Sequence, residues 1–171
     1  GKHALNPEVV AALGDRRFCV VANLPYNAAS PLLIQLCTVE PGVSRMSRAV
    51  VMVQREVADR LLATPGKDGK LVGPLTLLVH NRCVVNRVGV LGPGCFWPPP
   101  QVDSSVIELV PRAAPLTEDA QAFGELVHTL FSKRRKQIGG VLGRGRGWPE
   151  GVTPDMRPEQ LTLEQLVTLT S

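Results

Sequence analysis

Aromatic residues are scarce in this chain: one tyrosine, two tryptophans and four phenylalanines, 4% of 171 residues. That excludes an aromatic core and makes any aromatic outside an apolar stripe conspicuous. Cysteine is sparse as well. Cys19, Cys37, Cys83 and Cys95 lie in or beside apolar stretches and none forms a Cys-x-x-Cys pair. Reduced structural thiols are the expectation, rather than a disulfide frame or a zinc site. No apolar run approaches the ~20 residues of a membrane span, and no positively charged segment followed by an apolar stretch opens the chain. His3, His80 and His128 lack metal-ligand spacing, so no metal is expected. Walker loops, Gly-x-Ser-x-Gly, His-Glu-x-x-His and carboxylate pairs at catalytic spacing are all missing. There is no initiator methionine either. Gly1-Lys2-His3-Ala4-Leu5-Asn6-Pro7 leads at once into a helix and a strand, as though the chain entered partway through a fold.

What is present reads as a folded protein, 44% hydrophobic and 20% charged. Nineteen basic against fifteen acidic residues give +4, which permits an acidic partner without demanding one. After a short helix from Pro7 to Leu13, the continuous apolar run from Arg17 to Ala22 reads as a strand buried on both faces. Ser30-Pro31 reads as a helix cap followed by a first-turn proline. Further strands are expected at Ala49 to Val53, Val84 to Val90 and Ser105 to Val110, the last two antiparallel or mixed edge strands. Helices are expected at Arg55 to Ala63 and Pro74 to Asn81, flanking the polar loop Thr64 to Lys70. This alternation argues for an α/β sheet with helices on its faces. From about residue 113 the pattern turns helical: a helix from Pro115–Thr117 to Phe131, a very basic helix or helical turn from Ser132 to Leu142, and a last helix capped by Thr162 with Gln165.

Three segments carry chemistry. Asn23-Leu24-Pro25-Tyr26 ends the first apolar strand, where α/β sheets bind ligands. It offers an amide, backbone carbonyls held by a rigid turn, and a ring, which suits a planar substrate bearing an exocyclic amine. A plain strand-terminating turn with Tyr26 half-buried fits equally well. Phe96-Trp97-Pro98-Pro99-Pro100 is a stiff extended segment. Phe96 either plugs the core or faces Tyr26 across a base, and Asp103-Ser104-Ser105 reads as a turn cap on nearby backbone. Lys133, Arg134, Arg135 and Lys136, joined by Arg144 and Arg146, lie in a stretch without Asp or Glu from Leu126 to Pro149. Six uncompensated cations fit phosphate-backbone contact, against the alternative of a solvated face.

Five motifs in order then resemble one family over nearly the whole chain. They are Asn23-Leu24-Pro25-Tyr26-Asn27 with Ser30-Pro31-Leu32-Leu33; Val53-Gln54-Arg55-Glu56-Val57-Ala58-Asp59-Arg60-Leu61; Phe96 to Val106; Phe131-Ser132-Lys133-Arg134-Arg135-Lys136; and Arg157-Pro158-Glu159-Gln160-Leu161-Thr162. The family is that of the ribosomal RNA adenine N6-dimethyltransferases. The resemblance implies the C-terminal part of a class I S-adenosylmethionine-dependent methyltransferase sheet over residues 1–112 and a small helical rRNA-binding domain over 113–171. It implies dimethylation of two adjacent adenines near the 3′ end of small-subunit rRNA, on the rRNA or a pre-30S-type particle, by a cytoplasmic monomer that takes part in ribosome biogenesis.

By the same resemblance Asn23 holds the target amine and lies against the cofactor, and Tyr26 and Phe96 sandwich the adenine; on chemical grounds the Leu24 or the Pro25 carbonyl accepts the amine's second N–H bond. The basic residues Lys133, Arg134, Arg135, Lys136, Arg144 and Arg146 face the RNA. The family's glycine-rich cofactor loop and its acidic ribose and adenine contacts do not occur in these residues. The resemblance places them before Gly1, in about a hundred residues that also carry the first strands, and the printed chain alone is expected to be inactive. Two other functions remain open. One is the related large-subunit rRNA adenine N6-methyltransferase of the macrolide-resistance type, which shares the asparagine–aromatic motif. The other is a non-catalytic RNA-binding ribosome-assembly factor on the same fold.

Overall fold

The computed structural model describes residues 6–25, 27–38 and 42–170. Helix α1 (Pro7–Leu13) leads to strand β1 (Phe18–Asn23), then α2 (Ala29–Thr38), the single turn α3 (Gly42–Arg45) and β2 (Met46–Gln54). Helices α4 (Arg55–Leu62) and α5 (Pro74–Arg82) precede β3 (Cys83–Leu91) and β4 (Ser104–Pro111). Helices α6 (Ala120–Ser132), α7 (Ile138–Leu142) and α8 (Leu163–Thr170) complete the chain.

The strands form one sheet in the order β1-β2-β4-β3. β1 runs parallel to β2, whereas β4 is antiparallel to both β2 and β3. The mixed character expected of the later strands is therefore present, but only β3 is the edge strand expected, because β4 pairs on both sides with β2 and β3. The parallel pair is joined through α2, as a crossover requires. One face of the sheet packs on α2, α4 and α5 through Leu33, Leu36, Ala49, Val51, Val53, Ala58, Leu61, Ile107 and Leu109.

The other face differs from expectation. β1 is an edge strand whose residues alternate between half-buried and exposed, and Val21 is 83% exposed. The apolar run reads as doubly buried because both faces carry hydrophobic side chains, yet no described element covers the face bearing Cys19 and Val21.

A second core joins α6, α7 and α8 through Phe123, Val127, Leu130, Ile138, Leu161, Leu163 and Leu166. It also takes Ala63, Val72 and Leu77 from the first half of the chain. Helix α5 lies between the two cores, with Leu75 and Val79 on the sheet side and Leu77 on the helical side. A helix buried on opposite faces needs apolar residues all round, and Pro74-Leu75-Thr76-Leu77-Leu78-Val79 meets that demand. Its buried Thr76 hydroxyl donates to the Arg60 carbonyl at 2.8 Å, which ties α5 to the end of α4.

Several local expectations change. Helix α2 starts at Ala29, so Ser30 lies inside it; the N–H groups of Ala28 and Ala29 are taken by the Pro25 carbonyl, both at 3.0 Å, which moves the start upstream. Helix α6 starts only at Ala120, where Asp119 caps it by accepting from the Ala122 N–H at 2.8 Å. The basic helix over Ser132 to Leu142 does not form as one piece. Lys133 to Lys136 is a turn closed by Lys136 N–H to the Lys133 carbonyl at 2.8 Å, and only Ile138–Leu142 is helical. The reciprocal Thr162–Gln165 box at α8 is as expected, with bonds of 2.9 and 3.2 Å.

Candidate active site at the sheet end

Asn23 closes β1 opposite Met52 of β2. The Leu24 N–H donates to the Met52 carbonyl at 3.0 Å, which extends the parallel ladder one step beyond the strand. Leu24 is thereby held with its side chain buried, while Asn23 and Pro25 remain exposed. Around them opens a cleft of about 460 Å³ lined by Asn23, Leu24, Pro25, Met52, Phe96, Trp97 and Ser104, with two of the prolines. Segments far apart in sequence thus share one wall. Of the five residues expected to act on substrate, four line this cleft; Tyr26 lies outside the described residues.

The alternative for Phe96 can be judged directly. It is half-buried and joins neither apolar core, so it lines the cleft rather than plugging the interior. Its loop is anchored from below: the Arg55 N–H donates to the Asp103 carbonyl at 3.0 Å and the Arg55 guanidinium to the Asp103 carboxylate at 3.1 Å. Asp103 therefore takes a guanidinium as well as binding through its backbone, where the sequence suggests a simple turn cap. Arg55 also faces Asp59 at 3.9 Å, and Asp59 is paired with Arg87, so the anchor belongs to a four-residue charge network.

Of the remaining cleft residues, Met52 escapes the sequence reading, while Trp97 is noted only as part of the proline segment and Ser104 only as part of a turn cap. Met52 becomes visible only through strand register, and Trp97, 94% exposed, was the one further signal in a chain so poor in aromatics.

Hydrogen-bonding capacity in the cleft is specific. The two lone pairs of the Pro25 carbonyl are taken by Ala28 and Ala29. The Leu24 carbonyl and the Asn23 side-chain amide have no hydrogen-bond partner among the described residues. No residue lining the cleft carries a group that titrates near neutral pH.

The basic segment is less uniform than its sequence. Arg134 is half-buried, donating to the Glu159 carboxylate and to the Gly69 carbonyl, both at 2.6 Å. Arg144 pairs with Asp155 at 3.0 Å and donates to Gln137 at 2.7 Å. Arg146 donates to the Leu169 carbonyl at 3.2 Å and stands 5.9 Å from the Trp148 ring centroid. The expectation of six uncompensated cations is thus corrected: carboxylates beyond the acid-free stretch fold back onto two of them. Lys133, Arg135 and Lys136 are exposed without such partners among the described residues.

A mixed α/β sheet whose cleft lies beyond the end of a parallel strand, followed by helices, is the arrangement of a class I methyltransferase fold. The chain belongs to the ribosomal RNA adenine dimethylase family, whose model matches residues 6–170. Curated relatives are the ribosomal RNA small subunit methyltransferase A of Xanthomonas campestris pv. campestris, 38% identical over 88% of this chain and 58% of that protein, and that of Streptomyces coelicolor, 38% identical over 91% and 57%. The chain therefore spans a little over half the length of these relatives.

A crystal structure of a dimethyladenosine transferase from Plasmodium falciparum superposes with a TM-score of 0.73 at 25% identity, over 88% of this chain and 64% of that one. The 23S rRNA methyltransferase ErmE shares the fold, with a TM-score of 0.66 at 22% identity over 92% of this chain and 65% of its own.

The fold implies S-adenosylmethionine, and the residues present fit it on one side. The Asn23 amide, without a hydrogen-bond partner among the described residues, stands at the end of an edge strand, and no acidic side chain lines the cleft to take the cofactor's ribose hydroxyls. No group of three or more histidine, cysteine, aspartate or glutamate side chains that could hold a metal ion occurs among the described residues, and no described helix is long and apolar enough to cross a membrane.

Proposed function

We propose that this chain is the substrate-binding side of an enzyme that transfers methyl groups from S-adenosylmethionine to the N6 amines of two adjacent adenines in small-subunit rRNA. The observation that supports this best is the cleft that brings Asn23 and the free Leu24 carbonyl opposite Phe96. An adenine N6 lone pair is delocalised into its ring and is a poor nucleophile. Asn23 accepts one N–H of the amine and the Leu24 carbonyl the other, which favours the pyramidal amine and turns its lone pair out of the ring plane. The engaged Pro25 carbonyl is left to shape the turn. Phe96 stacks on one face of the base and Tyr26 is assigned to the other.

The bound cofactor supplies an electrophilic methyl group. With no group that titrates near neutral pH among the described residues lining the cleft, the amine proton is assigned to water and the chain contributes orientation and desolvation. A cleft of about 460 Å³ is roomy enough for a once-methylated adenine to turn and present its second N–H bond.

The free edge of β1 and the uncovered face holding Val21 are where we place the cofactor-binding part of the sheet. The helical unit from residue 113 is assigned to the RNA, through Lys133, Arg135 and Lys136 directly. Arg134, Arg144 and Arg146 shape that surface. Their contacts would position the RNA rather than read its sequence.

The test is Asn23→Ala in the full-length protein, reading methyl incorporation into small-subunit rRNA and RNA affinity separately. Methyl transfer is expected to fall at least ~100-fold, the scale of a lost orienting contact, with RNA affinity within a few fold. Equal loss of both would refute the assigned role. Transfer to large-subunit rRNA instead would identify the macrolide-resistance activity.

A further inference from the structure

The end of the sheet opposite Asn23 holds a second cleft. The N-termini of β1, β2 and β3 and the C-terminus of β4 meet there, roughly 20 Å from the first cleft by the rise of a strand. It encloses about 580 Å³ and its walls include Arg17, Arg82 and Arg112, with no carboxylate among its lining residues. Of the described acids on the sheet and on the turn before it, Glu108 pairs with Arg48 at 3.2 Å and Asp15 with Arg45 at 2.8 Å.

Two of the arginines are held in place by backbone. The Arg112 N–H donates to the Arg82 carbonyl at 2.8 Å, which clips the residue after β4 to the end of α5. The Arg112 Nε donates to the His80 carbonyl at 3.0 Å, leaving its two terminal nitrogens for other acceptors. Asn81, buried between them, fixes the same junction by accepting from the Thr117 N–H at 3.0 Å and, through its backbone carbonyl, from Leu116 at 3.1 Å.

Arg82 is the unusual member. Its Nε is buried without a hydrogen-bond partner among the described residues, and an arginine donor cannot shed its proton to relieve that state. Arg17, exposed at the rim, has no ion-pair or hydrogen-bond partner among the described residues. The local field is felt by neighbours. The Cys83 thiol is lowered chiefly by its hydrogen bond with Cys37, with Arg112 and Arg82 adding to the effect. His80 is lowered by burial first, and Arg112 contributes.

We propose that Arg17, Arg82 and Arg112 form a binding site for a phosphate group, separate from the candidate active site. Guanidinium forks match phosphate oxygens in pairs, and Arg17, Arg82 and Arg112 line one cleft with no carboxylate among its lining residues. Two sources supply that chemistry, a phosphodiester of a polynucleotide and a free phosphate or nucleotide. The site does not depend on methyl transfer, and none of its tests reads that activity.

The experiment is calorimetric titration of the protein with inorganic phosphate against chloride at matched ionic strength, followed by a short single-stranded RNA titrated across a salt series. Saturable phosphate binding is expected, weakened roughly tenfold in Arg17→Gln and in Arg82→Gln and unchanged in Lys67→Gln, which removes an exposed cation elsewhere. Arg17→Gln alters only an exposed side chain, so its result stands even where Arg82→Gln unfolds the protein. Phosphate heats no larger than chloride, or binding untouched by Arg17→Gln, would overturn the site. With phosphate binding present, an RNA salt slope that falls by about 0.7 in Arg17→Gln assigns the site to a polynucleotide backbone. An unchanged slope assigns it to free phosphate or a nucleotide.

Discussion

Arg55 holds Asp103 through two separate bonds, one from its backbone N–H at 3.0 Å and one from its guanidinium at 3.1 Å. The pair fastens the start of α4 to the residue just before β4, so the segment carrying Phe96 and Trp97 is secured at its downstream end. In Asp103→Ala the side-chain bond is lost and the backbone bond stays. Both side chains are more than a third exposed, at 59% and 35%, so the stability change is expected to be at most about 1 kcal/mol. The local effect should be larger. Amide hydrogen exchange across residues 92–103 is expected to accelerate several-fold while the rest of the sheet keeps its protection. Unaltered exchange in that segment would show that the backbone bond alone suffices.

Neighbouring arginines in the basic turn should behave differently. Arg134→Ala removes an ion pair with Glu159 and a bond to the Gly69 carbonyl in a partly buried setting. It is expected to cost about 1–3 kcal/mol in urea unfolding. Arg135→Ala should leave stability within about 0.5 kcal/mol and instead weaken RNA binding and reduce its salt dependence. Equal stability losses for the two would refute this division.

His80 imposes a pH dependence on stability. Its Nε2 lies 2.7 Å from the Leu61 carbonyl, which only accepts, so the neutral ring carries its proton there. Burial, with Arg112 nearby, holds its pKa below the usual 6.5 despite that bond. The unfolded chain therefore takes up the proton more readily than the folded one. The contribution to stability is whole above about pH 6.5 and is lost as pH falls toward the folded-state value. The fall in urea midpoint between about pH 7.5 and about pH 5.5 is expected to be smaller in His80→Gln than in the unaltered protein. Identical falls would assign the acid sensitivity to other groups.

Thiol reactivity should separate the cysteines into two classes. Cys37 and Cys83 are buried with their sulfurs 3.6 Å apart, and Cys19 and Cys95 are exposed. The Cys37 thiol is pushed up, first by its hydrogen bond to Cys83 and then by burial, and stays protonated. Brief alkylation of the native protein is expected to mark Cys19 and Cys95 only, and alkylation in urea all four. Intact-mass measurement reads the outcome, and a native adduct on Cys37 or Cys83 would contradict the described packing.

The site was legible in part. Asn23, Leu24, Pro25 and Phe96 stand out because each combines a chemical group with a rigid turn, and the motif order ties the two segments together. Met52 was hidden because strand register is a non-local property that no spacing within β2 records. The basic turn misled for a related reason: Glu159 and Asp155 lie well downstream of Arg134 and Arg144, and only the folded helical unit brings them back. β1 misled in the opposite sense. Its unbroken hydrophobicity reflects two apolar faces, but a strand's composition does not say which elements lie against each face. The helix starts at Ala29 and Ala120 moved because backbone carbonyls and Asp119, respectively, compete with the more obvious caps.

Helix α5 has a consequence for the chain's inheritance. Because Leu75 and Val79 serve one core and Leu77 the other, a genetic exchange at the sheet–helix junction near residue 112 would import three helices without the Leu77, Val72 and Ala63 that fill them. Recombination at that point is expected to yield hybrids with a hollow helical unit unless the donor also supplies residues 63–82. The two halves are therefore expected to diverge as a matched pair, with substitutions in α5 answered by changes in α6 and α8.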